Sequence, residues 1–346
     1  MRGNDILGLI LPNLNEELIP ELADRRTTGS VPFGGKYRLI DFPLSNMVNS
    51  GINNVGVITK HNFSSLMDHL GSGKAWDLSK RRGGLTILPP YSSGINRFDT
   101  VIESIYSVIG YIEHATEEYV LLCGCDTVCN IDYSLVLASH IKNEADITLV
   151  YLYKELPDKY YDPIVLNLDE NKRATEILID PKIDGKCNYG INCILIKRKL
   201  LIELISDCMS KNKLNYKRHL LQSNVDELKI YGYEFTGYAA TITSTLSYFY
   251  ANMSLMDPIV RRELFNRMSP IYTKVRDDMP CKYGLLSSVK NSLVAQGCVI
   301  DGEVENSVIF KGVTIAKGAK VSNCIIMQDT TIHENSSLSY VICDKD

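Results

Sequence analysis

Few side chains in this chain stand where they could do chemistry. Lys36 and Arg38 follow the glycine pair Gly34-Gly35. Two cations beside flexible backbone are candidate anion contacts, the alternative being that both are solvated or paired with acidic neighbours. Asp126 closes Cys123-Gly124-Cys125-Asp126 after a Val/Leu-rich run; a lone carboxylate there is most simply a strand-end or helix-capping aspartate. Cys123, Cys125 and Cys129 have C-x-C-x3-C spacing but lack a second half to complete a zinc or iron–sulfur set. The first apolar run, Ile6–Leu11, passes without a glycine into Pro12-Asn13-Leu14-Asn15-Glu16-Glu17-Leu18-Ile19. A backbone nest for phosphate needs residues that reach φ > 0 and allow close approach. Asn13 and Asn15 can reach it, but Leu14 and Leu18 supply neither donor nor charge. Glu16 and Glu17 repel, each carboxylate near a phosphate costing about 1–4 kcal/mol. The segment reads as an acidic loop.

The elements that would position these residues alternate over residues 1–255. Strand candidates Ile6–Leu11, Asn54–Thr59, Tyr119–Cys123 and Ile147–Leu152 are short, continuous and apolar, with helix-length segments Asn62–Leu70 and Asp99–Ala115 between them. Such strands predict a largely parallel sheet buried on both faces, a Rossmann-like α/β domain with ligands at the C-terminal strand ends. Residues 256–286, with three prolines and mixed charge, read as a linker. From 287 to 346 the pattern changes: Val294 and Ile300, then Ile309, Ile315 and Val321, then Ile326, Ile332 and Leu338, fall six apart, with Gly297, Gly302, Gly312 and Gly318 at turns. A hexapeptide period predicts short parallel strands stacked as a β-helix; an antiparallel meander would alternate every second residue. The five-residue step from Val321 to Ile326 predicts an irregular corner. His333 is the lone histidine of this region, too little to support a hexapeptide acyltransferase.

Length and composition suit a two-domain protein of 346 residues, 45% hydrophobic and 23% charged, with a formal net charge of −4. Without a basic block there is no nucleic-acid or anionic-membrane partner to expect, and no apolar run approaches the ~18–20 residues that span a bilayer. The N-terminal run ends in an acidic loop rather than a secretory pattern. The ten cysteines are scattered through apolar segments as buried small hydrophobes, which suits a reducing cytoplasm.

Residues 31–46, V-P-F-G-G-K-Y-R-L-I-D-F-P-L-S-N, closely resemble the signature of the ADP-glucose pyrophosphorylase (glucose-1-phosphate adenylyltransferase) family. The segment Gly83-Gly84-Leu85-Thr86-Ile87-Leu88-Pro89-Pro90-Tyr91 and the pair Trp76-Asp77 are similar to it too. The resemblance implies a Rossmann-like nucleotidyltransferase domain followed by a left-handed β-helix, and covers nearly the whole chain. The family's helix usually continues about one coil beyond Asp346, so a truncated cap is expected.

The resemblance also implies what the site should contain. The family's phosphate loop is L-A-G-G-x-G-T-R-L; its glycines are replaced here, and Leu18 takes the arginine position. The lysine of R-A-K-P-A is Thr28, with Arg26 retained. Mg²⁺ is held in the family by two aspartates; Asp126 matches one, and Thr241, in Gly237-Tyr238-Ala239-Ala240-Thr241, stands for the other. A hydroxyl cannot replace a carboxylate on a hard cation. The lysine of E-K-P becomes Asp180, and G-T-A-x-A becomes Thr100-Val101-Ile102-Glu103-Ser104, while Gly190 survives from M-G-I-Y. The chain is therefore most similar to the catalytically deficient glycogen-biosynthesis subunit of bacteria. The expected partner is a homologous catalytic subunit that binds Mg²⁺ and makes ADP-glucose from ATP and glucose-1-phosphate, in a heterotetramer. A sugar-phosphate effector could meet Lys36 and Arg38. The alternatives are an active transferase with a rebuilt site around Asp126 and Arg26, and a sugar-nucleotide-sensing scaffold outside glycogen metabolism.

Overall fold

Six consecutive buried residues, Ile6–Leu11, form the strand about which the N-terminal domain is built. The computed structural model describes residues 3–12, 19–80, 83–89, 100–157, 159–160 and 162–345. In chain order the strands of this domain are β1 (Ile6–Leu11), β2 (Pro32–Phe33), β3 (Tyr37–Arg38), β4 (Asn54–Ile58), β5 (Gly84–Leu88), β6 (Tyr119–Gly124) and β7 (Thr127–Cys129). They continue as β8 (Ile147–Glu155), β9 (Ile164–Leu168), β10 (Ala174–Ile179), β11 (Lys186–Lys197), β12 (Ile230–Glu234) and β13 (Ala239–Thr241). The principal sheet runs β10-β9-β11-β6-β1-β4-β5, with β8 joining β11 to β12. Around β1 the pairings with β4 and β6, and of β4 with β5, are parallel, as continuous apolar strands between helices require. Beyond β6 the twelve-residue β11 enters antiparallel and carries β8 and β9 on the far side.

Helices bury both faces of this sheet. Asp41–Asn49 packs Phe42, Leu44 and Met47 with Phe33 and Leu39, while Ile102, Ile105 and Ile112 cover the opposite face with Leu7 and Leu9. The stretch expected as one helix from Asp99 to Ala115 is two, Val101–Ser107 and Ile109–His114, broken at Val108. A β-branched residue followed closely by Gly110 explains the interruption, both being poor helix formers. Thr100 starts the first as the N-cap of a capping box with Glu103.

The C-terminal residues form a left-handed parallel β-helix of three four-stranded parallel faces. Ile309 pairs with Ile326, Ile315 with Ile332 and Val321 with Leu338 on successive coils, and the inward side chains form a core of their own. The five-residue step is not one irregular corner: it recurs at Val304–Ile309, Val321–Ile326 and Leu338–Cys343, always between the same two faces. The first coil begins at Lys282–Tyr283, inside the stretch read as linker, and Pro258–Leu264 there is helical. Tyr283 is exposed, so the first strand lacks the inward aliphatic residue that would mark it in sequence.

The two domains share a core. Val308, Phe310, Ile325 and Met327 of the β-helix lie in the same buried cluster as Phe33, Tyr37, Phe42 and Tyr248. The signature hairpin β2–β3 is the joint: Gly34 and Gly35 turn at φ 59° and 86°. A Cβ on Gly35 would stand 3.6 Å from Ala295 and from the Ile309 carbonyl. Tyr37 stacks on Phe265 at 5.0 Å, and the Tyr248 hydroxyl donates to the Pro32 carbonyl at 2.6 Å. No helix of the described residues is long and apolar enough to cross a membrane.

Candidate functional site

β6 ends at Gly124, and Asp126 lies just beyond its C-terminal end, where parallel strands of this kind deliver ligand-binding residues. Asp126 is 1% exposed. Its Oδ2 accepts a hydrogen bond of 2.6 Å from the Asn192 amide. That amide reaches the carboxylate because β11 shifts register between Gly190 and Ile194, leaving Asn192 at φ 49°. A bulge of this kind re-aims a side chain that regular pleating would send elsewhere. The Tyr216 hydroxyl donates to Asn192 Oδ1 at 2.9 Å, and Tyr160 donates to the Gly190 carbonyl at 3.3 Å.

Thr241 lies on the strand that pairs just beyond Asp126. β13 pairs antiparallel with β7, setting Thr241 opposite Thr127, and the Ile242 amide donates to the Asp126 carbonyl at 2.7 Å. The two threonine hydroxyls lie 3.4 Å apart, and Thr241 also bonds the Tyr189 hydroxyl. A second carboxylate at this point would complete a pair; a threonine completes only a hydroxyl ladder. Mg²⁺ prefers an octahedron of oxygens with at least one or two carboxylates. The donors around Asp126, one carboxylate already holding an amide plus neutral hydroxyls, do not fit that ion. No three His, Cys, Asp or Glu side chains gather as a metal cluster among the described residues.

The remaining candidates divide. Leu18, with residues 13–17 of the acidic loop, lies outside the described residues, as do Pro90 and Tyr91. Thr28 is buried in the turn Thr28–Ser30, its hydroxyl without a hydrogen-bond partner among the described residues. Arg26 pairs with Asp344 of the last β-helix coil. Asp180 is exposed beyond β10 at φ 55°, its amide on the Pro163 carbonyl at 3.0 Å. Thr100 and Glu103, at the substrate-loop position, are occupied in capping their own helix.

Arg38 is engaged within the fold through one of its guanidinium nitrogens. Its guanidinium donates to the Ser65 carbonyl and hydroxyl at 2.7 and 2.8 Å, and burial lowers its pKa despite Asp41. Asp41 in turn accepts from the Arg38 amide at 2.9 Å and meets His69 at 2.6 Å. Lys36 is exposed above the Tyr37 ring, and its charge acts on the buried Lys311 of the β-helix.

The three cysteines of the cluster are buried. Cys123 and Cys193 are cross-strand neighbours with sulfurs 3.5 Å apart, and all ten cysteines are free thiols. Burial pushes the Cys129 thiol up to about 12 and Cys125 well above its ordinary range, so both are protonated at neutral pH.

Sequence reasoning misses Asn192, Tyr216 and Lys217. Lys217 opens a π-helical turn, Lys217–Leu221, is 7% exposed, and donates from Nζ to the Asp162 carbonyl at 2.6 Å. The only sequence signal is a cation placed just before the apolar pair Leu220-Leu221.

Comparison with known proteins agrees with this architecture. Residues 18–183 match the model of the nucleotidyl transferase family, and residues 281–346 match that of the GlmU-like C-terminal hexapeptide. The chain is 36% identical to the glycogen biosynthesis protein GlgD of Bacillus subtilis, over 100% of this chain and 91% of that protein. It is 39% identical to GlgD of Geobacillus stearothermophilus, over 92% and 83% of the two chains. To the glucose-1-phosphate adenylyltransferase of G. stearothermophilus it is 36% identical, over 84% and 76%. With the nucleotidyltransferase fold, the hexapeptide β-helix and relatives of this identity along its length, the chain belongs to the ADP-glucose pyrophosphorylase family.

Proposed function

We propose that this chain is a non-catalytic, regulatory and structural subunit of a hetero-oligomeric glucose-1-phosphate adenylyltransferase that supplies ADP-glucose for glycogen synthesis. The observation that carries the reading is the pairing of β13 with β7, which sets Thr241 opposite Thr127 next to Asp126, so that a hydroxyl stands where the family resemblance calls for the second carboxylate. Asp180 adds negative charge where the family resemblance calls for a substrate-phosphate lysine. Similarity to proteins named for glycogen biosynthesis supports the same process. The partner is a homologous chain with an intact phosphate loop and both aspartates, assembled as a heterotetramer in the cytoplasm. An anionic sugar-phosphate effector would meet Lys36 beside Lys311 at the domain junction.

The test is to mix the two chains at stoichiometric ratio. Saturation curves of the catalytic subunit for ATP and for sugar-phosphate effectors should shift, since a coupling of about 1–3 kcal/mol changes affinity roughly 5- to 150-fold. The chain alone should make negligible ADP-glucose with ATP, glucose-1-phosphate and Mg²⁺. Unchanged curves without co-elution would favour the scaffold outside glycogen metabolism, and turnover by the chain alone would favour a rebuilt active site.

A further inference from the structure

Six of the seven residues from Lys274 to Pro280 are exposed; the seventh, Asp278, turns its side chain inward, where it is 9% exposed. A carboxylate so placed is costly unless cations or donors answer it. Arg276 answers one oxygen. Its Nε lies 2.7 Å from Oδ1, while its two terminal nitrogens donate to Asp329 of the β-helix at 3.1 and 2.9 Å. The corner glycine Gly297, at φ 78°, makes the room: a Cβ there would stand 3.3 Å from the Asp278 Cβ. The other oxygen is answered by charge without a bond. Oδ2 accepts no hydrogen bond from a described residue, and the buried Lys311 ammonium lies 4.0 Å from it, beyond hydrogen-bond range. Lys311 comes two residues after Ile309, whose carbonyl lies against Gly35 of the signature turn, and the exposed Lys36 is next in that turn.

A carboxylate hydrogen-bonded to its lysine would be a fixed part of the fold, whereas one facing it across such a gap can be exchanged for another anion. We propose that Asp278 is a tethered anion of the domain junction, and that a phosphate-class anion competes with it for Lys311. The two anions repel, so they cannot both sit at this corner with full charge. The connecting segment is then a strap that carries its own competitor. A ligand at Lys311 displaces the strap's carboxylate, which makes the segment joining the two domains the part that moves. The proposal deepens the reading of the junction as the place where an anionic effector meets Lys36 and Lys311, and rests on it.

The experiment is isothermal titration calorimetry of orthophosphate into the full chain, in chloride buffer at fixed ionic strength, with Asp278→Asn, Lys311→Gln and the double variant. Asp278→Asn should bind about tenfold or more tightly than wild type, because a like charge leaves the site. Adding Lys311→Gln should abolish that gain. Orthophosphate should also raise the melting temperature of Asp278→Asn more than that of wild type. Glucose 6-phosphate in a second series separates a sugar phosphate from the free anion, and a gain in either series supports the proposal. Equal affinities of wild type and Asp278→Asn, both lost in Lys311→Gln, would overturn the tethered anion and leave the effector site standing. A gain that survives Lys311→Gln would overturn it too. Binding by no variant would sink it together with the effector site, while the role of the chain as a subunit is decided separately by the mixing experiment. If Asp278→Asn folds poorly in chloride, recovery in orthophosphate that Lys311→Gln removes supports the proposal, and the lack of such recovery overturns it.

Discussion

Replacing Thr241 by aspartate would set a second carboxylate in the buried strand-end region that holds Asp126. Like charges buried together disfavour each other's ionised form. Thr241→Asp is therefore expected to lower stability by about 1–3 kcal/mol without giving ADP-glucose synthesis, because Asp180 and the acidic loop are unchanged. Thermal melting beside a turnover assay checks both halves; a few per cent of an active subunit's rate from this one change would contradict the expectation. Thiol chemistry offers a second check at this scale. Cys281 and Cys343 are the partly exposed cysteines, and burial holds Cys125 and Cys129 far from thiolate formation at pH 8. Mass spectrometry after brief iodoacetamide treatment should find the first two alkylated and the Cys123–Cys129 cluster untouched. Asp126 and Thr241 are legible in sequence because matched flanks pin both. Asn192 and Lys217 are not, since one depends on a strand bulge and the other on a helical register that no apolar period announces. Arg38 misleads for a related reason: its cationic type suggests a ligand, while its place beneath Ser65 makes it a brace.

Strands and helices carry their own consequences. The helix Tyr133–Lys142 buries His140 against β8, where Nδ1 meets the Thr148 hydroxyl at 2.8 Å and Tyr119 packs edge-on. Burial, with Lys197 nearby and only Asp146 opposing, pulls the imidazole from its ordinary 6.5 to about 4. Between those values the unfolded chain takes a proton that the folded chain refuses. Stability is thus full above pH 6.5 and falls as pH drops toward 4, by up to about 3 kcal/mol from this residue. Melting temperature followed from pH 7 to 4.5 should decline, and His140→Gln should flatten part of that decline; parallel slopes would show that other groups dominate. At this scale most of the α/β domain can be read in advance, because continuous apolar strands at helix-length intervals allow little else. The break at Val108 and the bulge in β11 are tertiary choices that override local pattern, and they are invisible for that reason.

At the scale of the whole molecule, the signature segment from Val31 to Asn46 acquires a structural purpose independent of catalysis. The segment carries Phe33, Tyr37 and Phe42 into the cluster that also takes Val308, Phe310, Ile325 and Met327 from the β-helix, and Gly35 supplies the positive φ of its turn. Closeness to the active pattern there follows from packing between domains, so the motif alone says little about turnover. The ion pair across the junction, Arg26 with Asp344, and that of the connecting segment, Lys274 with Asp68, are exposed or partly so and contribute at most about 1 kcal/mol each. The apolar contact dominates. A domain pair joined this way should unfold together: Phe310→Ala, at a fully buried position, should cost about 3–5 kcal/mol and move one cooperative transition to lower denaturant without splitting it. Removing residues from 288 onward should expose the same apolar surface and give an aggregating chain that fails to join a catalytic partner. Urea unfolding followed in parallel by tyrosine fluorescence, far-ultraviolet circular dichroism and proteolysis tests the coupling. Two separated transitions in Phe310→Ala, or a well-behaved truncation that still co-purifies with the partner, would show that the β-helix is an appendage and place the assembly surface on the α/β domain.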